Sequence, residues 1–278
     1  MREASLDVYD LAALEAKLAG SVFAGKLHFS PSTDSTNSDA VQAARRAAPH
    51  GSVYFADEQR AGRGRGDHAW HSTAGDGLYV SVLLRPPIPA LRLPLLPLAA
   101  GLAAAEAIRA AAGLTVDLRW PNDLLIGPRK TGGILIESKI SRGAVDSAVV
   151  GIGINVHQES FDSDLPTPAT SLDLEARRRV SRQQLLAGLL KSLEREALGL
   201  ADAAAGVTIP ARVEQSSSWI RGRQVEVHGP QACVGVTTGL DEHGFLLVRT
   251  TDGLVTVQTG GIRAAATCGG ADAFGSEN

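Results

Sequence analysis

The stretch TGGILIESKISRGAVDSAVVGIGINV, residues 131–156, decides the predicted fold. Its parts GILIESKI and AVVGIGINV are rich in Ile, Leu and Val and predict two β-strands, and SRG at 141–143 is typical of a tight turn between them. The segments SVYFADEQ, LYVSVLLR and VDLRW predict further strands. Because helical patterns lie between these segments, the sequence predicts a mixed sheet with helices, an α/β (α+β) fold.

Three segments outside this stretch carry helical periodicity. DLAALEAKLAG offers Asp10 as its N-cap and Gly20 as its end, and LAAGLAAAEAIRAAAG ends at Gly113. SRQQLLAGLLKSLEREALGL places Ser181 and Gln184 at capping-box spacing, followed by leucines at helical intervals. An Ala-rich link with Pro210 comes next, so we expect the α/β part of the chain to end there.

The character of the sequence changes at about residue 212. The short β-like runs RQVEVHG, ACVGVTTGL, GFLLVRT and LVTVQTG are separated by the turn signals DEHG and TDG, which predicts a small all-β barrel. We therefore expect four parts: a helical extension (1–25), the main α/β domain (26–210), the β-barrel (211–265) and a disordered, glycine-rich tail (266–278).

Composition limits the classes of function. The chain has 278 residues, 44% of them hydrophobic, and a formal net charge of −3, so it can bury a core and has no general attraction to nucleic acid. Cys233 and Cys268 lack CxxC spacing, which predicts reduced thiols and no zinc site. The first thirty residues lack a signal-peptide pattern and no apolar stretch reaches about 18 residues, so we expect a cytoplasmic protein with no membrane partner.

The stretch GRGRGDHAW, residues 62–70, alternates glycine with arginine and is called the glycine–arginine loop below. Glycine lets the backbone approach a ligand, and Arg63 and Arg65 can each donate forked, charge-assisted hydrogen bonds to phosphate or carboxylate. Trp70 could stack on a base. The pattern predicts a loop that wraps an anion; the alternative is a mobile surface loop with solvated arginines and a core tryptophan.

Three further residues are candidates for ligand contact. Lys130 follows the turn GPR and opens the strand TGGILIE, where the backbone can approach a substrate; a solvated turn lysine is the alternative. Asn122 and Asp123 in WPNDLL suit either a ligand or a turn. Since GPRKTGG lacks P-loop spacing and GIGIN lacks the third glycine of a dinucleotide fold, any nucleotide site must be built in another way.

Taken in order, the motifs STDSTNSDA, DEQRAGRGRGDHAW, LYVSVLLR, WPNDLLI, KTGGILIES and VVGIGINV resemble those of the biotin protein ligases, over roughly residues 27–260. The resemblance implies a mixed-sheet biotin/lipoate ligase-type catalytic domain followed by a small Src-homology-type β-barrel. It implies an enzyme that uses ATP and Mg²⁺ to convert biotin into biotinyl-5′-AMP. Biotin would then pass to a lysine of a biotin carboxyl carrier protein or domain of acetyl-CoA carboxylase or a related carboxylase. Related ligases often dimerise, so a homodimer is also implied.

The resemblance also implies roles for individual residues. Biotin would contact Ser35, Thr36, Asn37, Gln59, Gly62, Arg63, Lys130, Gly132 and Gly133. ATP or the adenylate would contact Arg63, Arg65, Trp70, Asn122, Lys130 and Asn155. Lys130, Arg65 and Asp123 are the implied catalytic residues, and Asp123 would also approach Mg²⁺ beside the phosphates.

The chain departs from the family pattern GRGRxGRxW at two positions. Asp67 and His68 stand where the family has Gly and Arg. Asp67 places a negative charge near the expected phosphate path, and His68 replaces the charge of an arginine only when it is protonated. A weaker local field for anions is therefore expected.

Three other functions are alternatives to the biotin ligase. A lipoate or octanoate ligase is less consistent with Ser35, Thr36 and Gln59, whose polar groups suit the ureido ring of biotin. For a noncatalytic biotin-binding protein, Lys130 and both loop arginines would be superfluous. For a biotin-responsive repressor, only about 25 residues precede the ligase-like core, too few for a winged helix-turn-helix, so nucleic acid is not an expected partner.

Overall fold

The computed structural model describes residues 8–66, 68–201 and 203–265. Asp67 and the tail 266–278, which the sequence predicts to be disordered, lie outside the described residues. The helices are α1 (Leu11–Lys17), α2 (Thr36–Arg45), α3 (Leu95–Ala112), α4 (Leu172–Ala176), α5 (Arg182–Ala201) and α6 (Ala203–Ser216). The strands are β1 (Leu27–Thr33), β2 (Ser52–Gln59), β3 (Gly77–Leu84), β4 (Asp117–Arg119), β5 (Asp123–Ile126), β6 (Arg129–Ser141), β7 (Ala144–Asn155), β8 (Arg221–His228), β9 (Cys233–Leu240), β10 (Leu246–Thr250), β11 (Gly253–Val257) and β12 (Gly261–Ala264).

A mixed sheet of seven strands forms the main part of the molecule, in the order β1-β2-β3-β7-β6-β5-β4. β1 and β2 pair in parallel, and every other neighbouring pair is antiparallel. The predicted hairpin is present: β6 and β7 pair along their length and turn at Arg142 and Gly143, whose φ angles are 51° and 76°. The stretch 131–156 thus supplies two central strands, as its composition predicts.

The two faces of this sheet carry different side chains. Leu78, Val80 and Ile152 alternate along β3 and β7 on one face and are buried in the hydrophobic core that α3 and α5 cover. The alternate positions, among them Ser81 and Gly151, point to the opposite face. Because β3 is buried on both faces, a second layer must cover these polar and small residues.

Helix α3 is a long apolar segment, which the sequence was not expected to contain. It begins at Leu95, three residues earlier than the predicted pattern, and ends at Gly113, which has a φ of 75°. Its 18 residues are long and apolar enough to cross a membrane, although the sequence was expected to contain no such stretch. Since 67% of the helix is buried inside the protein, where it packs against α5, it serves as the central core helix.

The predicted N-caps of α1 and α5 are present. The carboxylate of Asp10 accepts the N–H of Ala13 at 3.0 Å, and the hydroxyl of Ser181 accepts the N–H of Gln184 at 3.3 Å. Leu14 of α1 is completely buried in the main hydrophobic cluster. The predicted N-terminal extension therefore packs as part of the same core.

The expected Ala-rich link is in fact helix α6, which contains Pro210 and packs against α3 and α5. Ile209 and Val213 on either side of the proline are buried, so their packing outweighs the backbone hydrogen bond that proline removes. The predicted domain division at 210 and 211 falls inside this helix, and the β-structure begins at Arg221 instead of residue 212.

The C-terminal part forms a five-stranded antiparallel sheet in the order β11-β10-β9-β8-β12, which confirms the predicted small β unit. Its buried apolar residues include Val225, Val227 and Val248. The turn between β9 and β10 meets the main part of the molecule, because the indole of Trp120 donates to the carbonyl of Gly244 at 3.0 Å. This contact fixes the second sheet beside the β4–β5 hairpin.

Candidate active site

A cavity of about 1110 Å³ lies over the polar face of β3, β7 and β6. The start of α2, the glycine–arginine loop, the β4–β5 hairpin, the segment after β7 and turns of the C-terminal sheet all line it. Its volume is ample for a ligand the size of a nucleotide conjugate. The cavity brings together nearly all of the predicted site residues: Ser35, Thr36, Asn37, Gln59, Arg63, Arg65, Trp70, Asn122, Asp123, Lys130, Gly133 and Asn155.

Glycines leave the floor of the cavity without side chains. Gly153 and Gly133 lie opposite each other on β7 and β6, and Gly151 follows on the same face. A Cβ atom on Gly153 would come within 2.6 Å of the indole of Trp70, and one on Gly151 within 2.0 Å of Oδ1 of Asn37. The exposed backbone therefore lets these two side chains, and a ligand, lie directly on the sheet.

Two of the glycines predicted to contact biotin, Gly62 and Gly132, lie against neighbouring backbone. A Cβ atom on Gly62 would lie 2.3 Å from the carbonyl oxygen of Trp70, and one on Gly132 would lie 2.8 Å from that of Gly153. Neither Gly62 nor Gly132 is among the residues that line the cavity. Their missing side chains admit neighbouring backbone, and their contact with biotin stays a prediction.

A hydrogen-bond network joins the residues predicted to bind biotin. Thr36 donates its N–H and its hydroxyl to Oε1 of Gln59, at 2.9 and 3.1 Å. The hydroxyl of Ser81 lies 2.8 Å from that of Thr36 and donates to Oδ1 of Asn37 at 2.6 Å. The amide of Gln59 also donates to Ser72 at 2.8 Å. Both amides are therefore held in one orientation at the end of the cavity.

The two ends of the glycine–arginine loop pair with each other at the wall of the cavity, where Arg63 forms a β-bridge with Ala69. The N–H of Trp70 donates to the carbonyl of Gly62 at 2.8 Å. Arg63 forms an ion pair with Glu137 of β6. Arg65 forms no ion pair within the described ranges, and its guanidinium lies 3.2 Å from the position that a Cβ atom on Gly261 of β12 would take. The two arginines, which the sequence predicts to act together, thus have different surroundings.

Lys130 and Asp123 form the charged centre of the cavity. Nζ of Lys130 lies 2.5 Å from Oδ1 of Asp123, while Nη2 of Arg119 lies 2.6 Å from Oδ2. Burial alone would raise the pKa of Asp123, but the charges and hydrogen bonds of Lys130 and Arg119 outweigh burial and hold that pKa below its ordinary value of 3.8. An ionised Asp123 therefore positions the Lys130 ammonium next to Gly133, where the backbone is bare.

The predicted contact between Asp123 and Mg²⁺ concerns a carboxylate that already has two cationic partners. Both oxygens of Asp123 already contact a cationic side chain. Among the described residues, no group of three or more His, Cys, Asp or Glu side chains is placed to hold a metal ion. Because Mg²⁺ in nucleotide sites is commonly held by one or two carboxylates together with substrate phosphates, an approach of Asp123 to this ion beside the ATP phosphates stays a prediction.

The predicted adenine-binding residues Trp70 and Asn155 both line the cavity. The Trp70 ring centroid lies 5.7 Å from Nζ of Lys130, and the buried indole N–H has no hydrogen-bond partner among the described residues. Asn155 ends β7, donates to the carbonyl of Thr170 at 3.1 Å and accepts from Gln158 at 3.4 Å. An aromatic face and an amide therefore border the same space, as a purine base requires.

Asn122 connects two elements of the cavity wall. Its amide donates to the carbonyl of Ile134 at 2.6 Å, and the N–H of Ile134 donates back to the carbonyl of Asn122 at 2.9 Å. This reciprocal pair fixes the β4–β5 turn against β6. Asn122 thus serves as a turn residue and still lines the cavity.

Sequence reasoning missed three residues of the site: Ser81, Glu137 and Arg119. Each is a polar residue within a segment otherwise predicted as an apolar strand, namely LYVSVLLR, GILIESKI and VDLRW. A polar side chain inside a buried strand requires a polar partner, so this was the signal that could have identified them. Their partners lie on other elements of the fold, so only the tertiary structure identifies them.

Known proteins resemble this chain in sequence and in fold. The family model of the biotin/lipoate A/B protein ligase family matches residues 29–155. The Bifunctional ligase/repressor BirA of Bacillus subtilis is 35% identical over 231 residues, which cover 82% of this chain and 70% of the relative. The Biotin–[acetyl-CoA-carboxylase] ligase of Mycobacterium tuberculosis is 32% identical over 235 residues, covering 83% of this chain and 85% of the relative.

A solved structure of a Biotin protein ligase from Aquifex aeolicus in complex with biotin and ATP superposes with a TM-score of 0.73 at 28% identity, covering 86% of this chain and 98% of that chain. The chain belongs to the biotin/lipoate A/B protein ligase family, and within it to the biotin protein ligases. The resemblance seen in the sequence motifs is thereby confirmed.

Proposed function

We propose that this chain activates biotin with ATP to biotinyl-5′-AMP and transfers the biotinyl group to a lysine of a biotin carboxyl carrier protein or domain. The Biotin–[acetyl-CoA-carboxylase] ligase among its relatives points to acetyl-CoA carboxylase or a related carboxylase as the source of the carrier. One observation carries the proposal: a single cavity joins the amide and hydroxyl network at Thr36 and Gln59 to the charged centre at Lys130.

Activation requires the carboxylate of biotin to attack the α-phosphorus of ATP. A new bond forms between a carboxylate oxygen and phosphorus, and the bond from phosphorus to the bridging oxygen breaks as pyrophosphate leaves. Two anions must approach each other, so cations at the reacting atoms lower the barrier. Lys130 is held beside the bare backbone of Gly133, where the two anions would meet. Arg65 supplies a second cation from the loop.

Transfer requires an amine of the carrier to attack the carbonyl carbon of the mixed anhydride. The new amide forms, the amine loses a proton to solvent water, and AMP leaves with the electron pair of the broken carbon–oxygen bond. Asp123 has a lowered pKa and is therefore a weak base. We assign it the task of positioning Lys130 instead of removing that proton.

The polar end of the cavity supports biotin over lipoate. Thr36, Asn37, Gln59 and Ser81 present hydroxyl and amide groups that can donate to and accept from a ureido ring. An aliphatic dithiolane could form no comparable hydrogen bonds with these groups. Other expectations from the sequence stay predictions: a homodimer, a cytoplasmic location, the absence of nucleic acid and membrane partners, and the need for Mg²⁺.

Mass spectrometry of a purified carboxyl-carrier domain tests the proposal. With biotin, ATP and Mg²⁺ we expect the carrier mass to increase by one biotinyl group, and with lipoate no change. Lys130→Ala should reduce the rate at least 100-fold because the anionic transition state loses a cation. Lys139→Ala is the control, since Lys139 lies on the same strand but is exposed and pairs with Asp146.

Transfer of lipoate instead of biotin would identify a lipoate ligase. Transfer of neither acid would favour a noncatalytic biotin-binding protein. An unchanged rate for Lys130→Ala would show that this lysine does not act at the reacting atoms.

A further inference from the structure

Glu137 connects two parts of the cavity that are distant in sequence. Its Oε2 atom accepts a hydrogen bond from the amide of Asn37 at 2.9 Å and forms an ion pair with the guanidinium of Arg63. The Glu137 side chain is 31% exposed, whereas Asn37 is 4% exposed. A half-buried carboxylate needs such partners, because burial without them is unfavourable.

The orientation of Asn37 depends on this carboxylate. Oδ1 of Asn37 accepts from Ser81 at 2.6 Å, and its amide nitrogen donates to Glu137. The absent side chain of Gly151 provides the space in which the Asn37 amide lies. Glu137 and Ser81 together therefore fix both ends of the amide at the biotin end of the cavity.

The glycine–arginine loop depends on the same carboxylate. Arg63 is neutralised by Glu137, and the neighbouring backbone bond from Trp70 to Gly62 holds the rest of the loop in register. Arg65, two residues on, forms no ion pair within the described ranges of the chain. The charge of Arg63 is therefore balanced by an ion pair, whereas Arg65 has no such partner in those ranges.

We propose that Glu137 is a positioning residue that couples the pocket for the ring of biotin to the glycine–arginine loop, and that Arg63 anchors this loop instead of binding an anion. The inference rests on the proposed function, because it concerns retention of the adenylate. When the anchor is intact, the described residues of the loop on either side of Asp67 stay at the wall of the cavity and slow the departure of the reactive anhydride. Without it, the adenylate escapes faster although its chemistry is unchanged.

The rate at which biotinyl-adenylate leaves the purified enzyme tests the anchor. Glu137→Gln keeps an acceptor for Asn37 but removes the charge that binds Arg63, so release should accelerate about tenfold with little change in KM for biotin. Arg63→Gln should have the same effect. The double variant should release the adenylate no faster than either single variant, because all three remove one interaction. Glu137→Ala should in addition raise KM for biotin.

Two further measurements exclude a general loss of structure. Thermal unfolding of Glu137→Gln and Arg63→Gln should be little changed from that of the wild type. Glu106→Gln is the matched control, since it breaks an exposed ion pair with Arg195 on the helices and should leave adenylate release unaltered.

The proposal would be overturned if Glu137→Gln released the adenylate at the wild-type rate. It would also be overturned if the effects of Glu137→Gln and Arg63→Gln multiplied in the double variant, because independent effects mean independent interactions. Should Glu137→Gln not fold, Arg63→Gln and Glu137→Asp carry the same comparison. A wild-type enzyme that formed no biotinyl-adenylate would instead refute the proposed function.

Discussion

At Gly151 a single missing methyl group decides where a binding residue lies. The position of its Cβ would fall 2.0 Å from Oδ1 of Asn37, closer than any real carbon and oxygen can approach without bonding. Asn37 is buried and held by Ser81 and Glu137, so it cannot simply turn away. The same reasoning applies to Gly153 beneath Trp70. At the scale of residues, glycines shape this cavity as much as the polar groups do.

Gly151→Ala should therefore raise KM for biotin about tenfold, the effect of one lost hydrogen bond. The methyl group would push the Asn37 amide away from its partners. Steady-state kinetics of carrier biotinylation would measure the change. Gly188→Ala is the control, because the new Cβ in α5 would lie 3.8 Å from Ala107, which is an ordinary van der Waals distance. An unchanged KM for Gly151→Ala would mean that Asn37 does not contact biotin.

Helix α2, which carries Thr36 and Asn37, is attached to the sheet at its other end by Arg85. The guanidinium of Arg85 donates to the carbonyls of Ala44 and Ala48 at the C-terminal end of α2. A cation at this end stabilises a helix because the helix dipole is negative there. The backbone N–H of Arg85 donates to Nδ1 of His50 at 3.0 Å, which requires this ring nitrogen to be unprotonated. At the scale of elements, this contact holds α2 over the cavity.

Protonation of His50 should weaken the attachment. Burial first, and then the charge of Lys26, lowers the pKa of His50 from its ordinary value of 6.5. As the pH falls below 6.5 the unfolded chain takes up the proton first, so stability is complete above this pH and decreases as pH falls toward the folded-state pKa. Urea unfolding of the wild type at pH 8 and pH 5 should show this decrease.

His50→Asn should reduce the decrease, since an amide oxygen can accept the Arg85 N–H without titrating. His28→Asn, at an exposed position of β1, should retain the wild-type dependence on pH. A wild-type slope in His50→Asn would assign the effect to other groups.

For the molecule as a whole, the contact between the two sheets determines the shape of the cavity. Gly244, with a φ of 82°, lies in the β9–β10 turn, and its Cβ would come within 2.7 Å of Leu98 and 3.0 Å of Leu95 on α3. The same residue accepts the hydrogen bond from Trp120. Because the C-terminal sheet lines the cavity at Gly261 and its neighbours, displacement of this turn should change the active site.

Gly244→Ala should destabilise the protein by about 1–3 kcal/mol through crowding and raise KM for ATP. Gly222→Ala is the matched control: it places alanine at a φ of 76°, close to the 82° of Gly244, but its Cβ would meet nothing within 4 Å. Urea unfolding and steady-state kinetics of both variants would separate crowding from backbone strain. Equal effects of the two variants would show that the contact with α3 is unimportant.

The sequence by itself determined the elements whose causes are local. Strand composition and a tight turn predicted the hairpin of residues 131–156, and Asp10 and Ser181 predicted the starts of α1 and α5, because neighbouring residues supply the capping groups. The ordered motifs identified the family and most of the residues that line the cavity. Composition also predicted the small C-terminal β unit.

Only the tertiary structure decided which distant residues meet. Arg63 and Glu137 are 74 positions apart, and their contact depends on the order and register of strands that no local pattern specifies. Burial of Ile209 and Val213 made α6 a helix where Pro210 suggested a link. Local forces set the elements, but packing between elements selected the partners, and so placed Arg63 with Glu137 and Lys130 with Asp123.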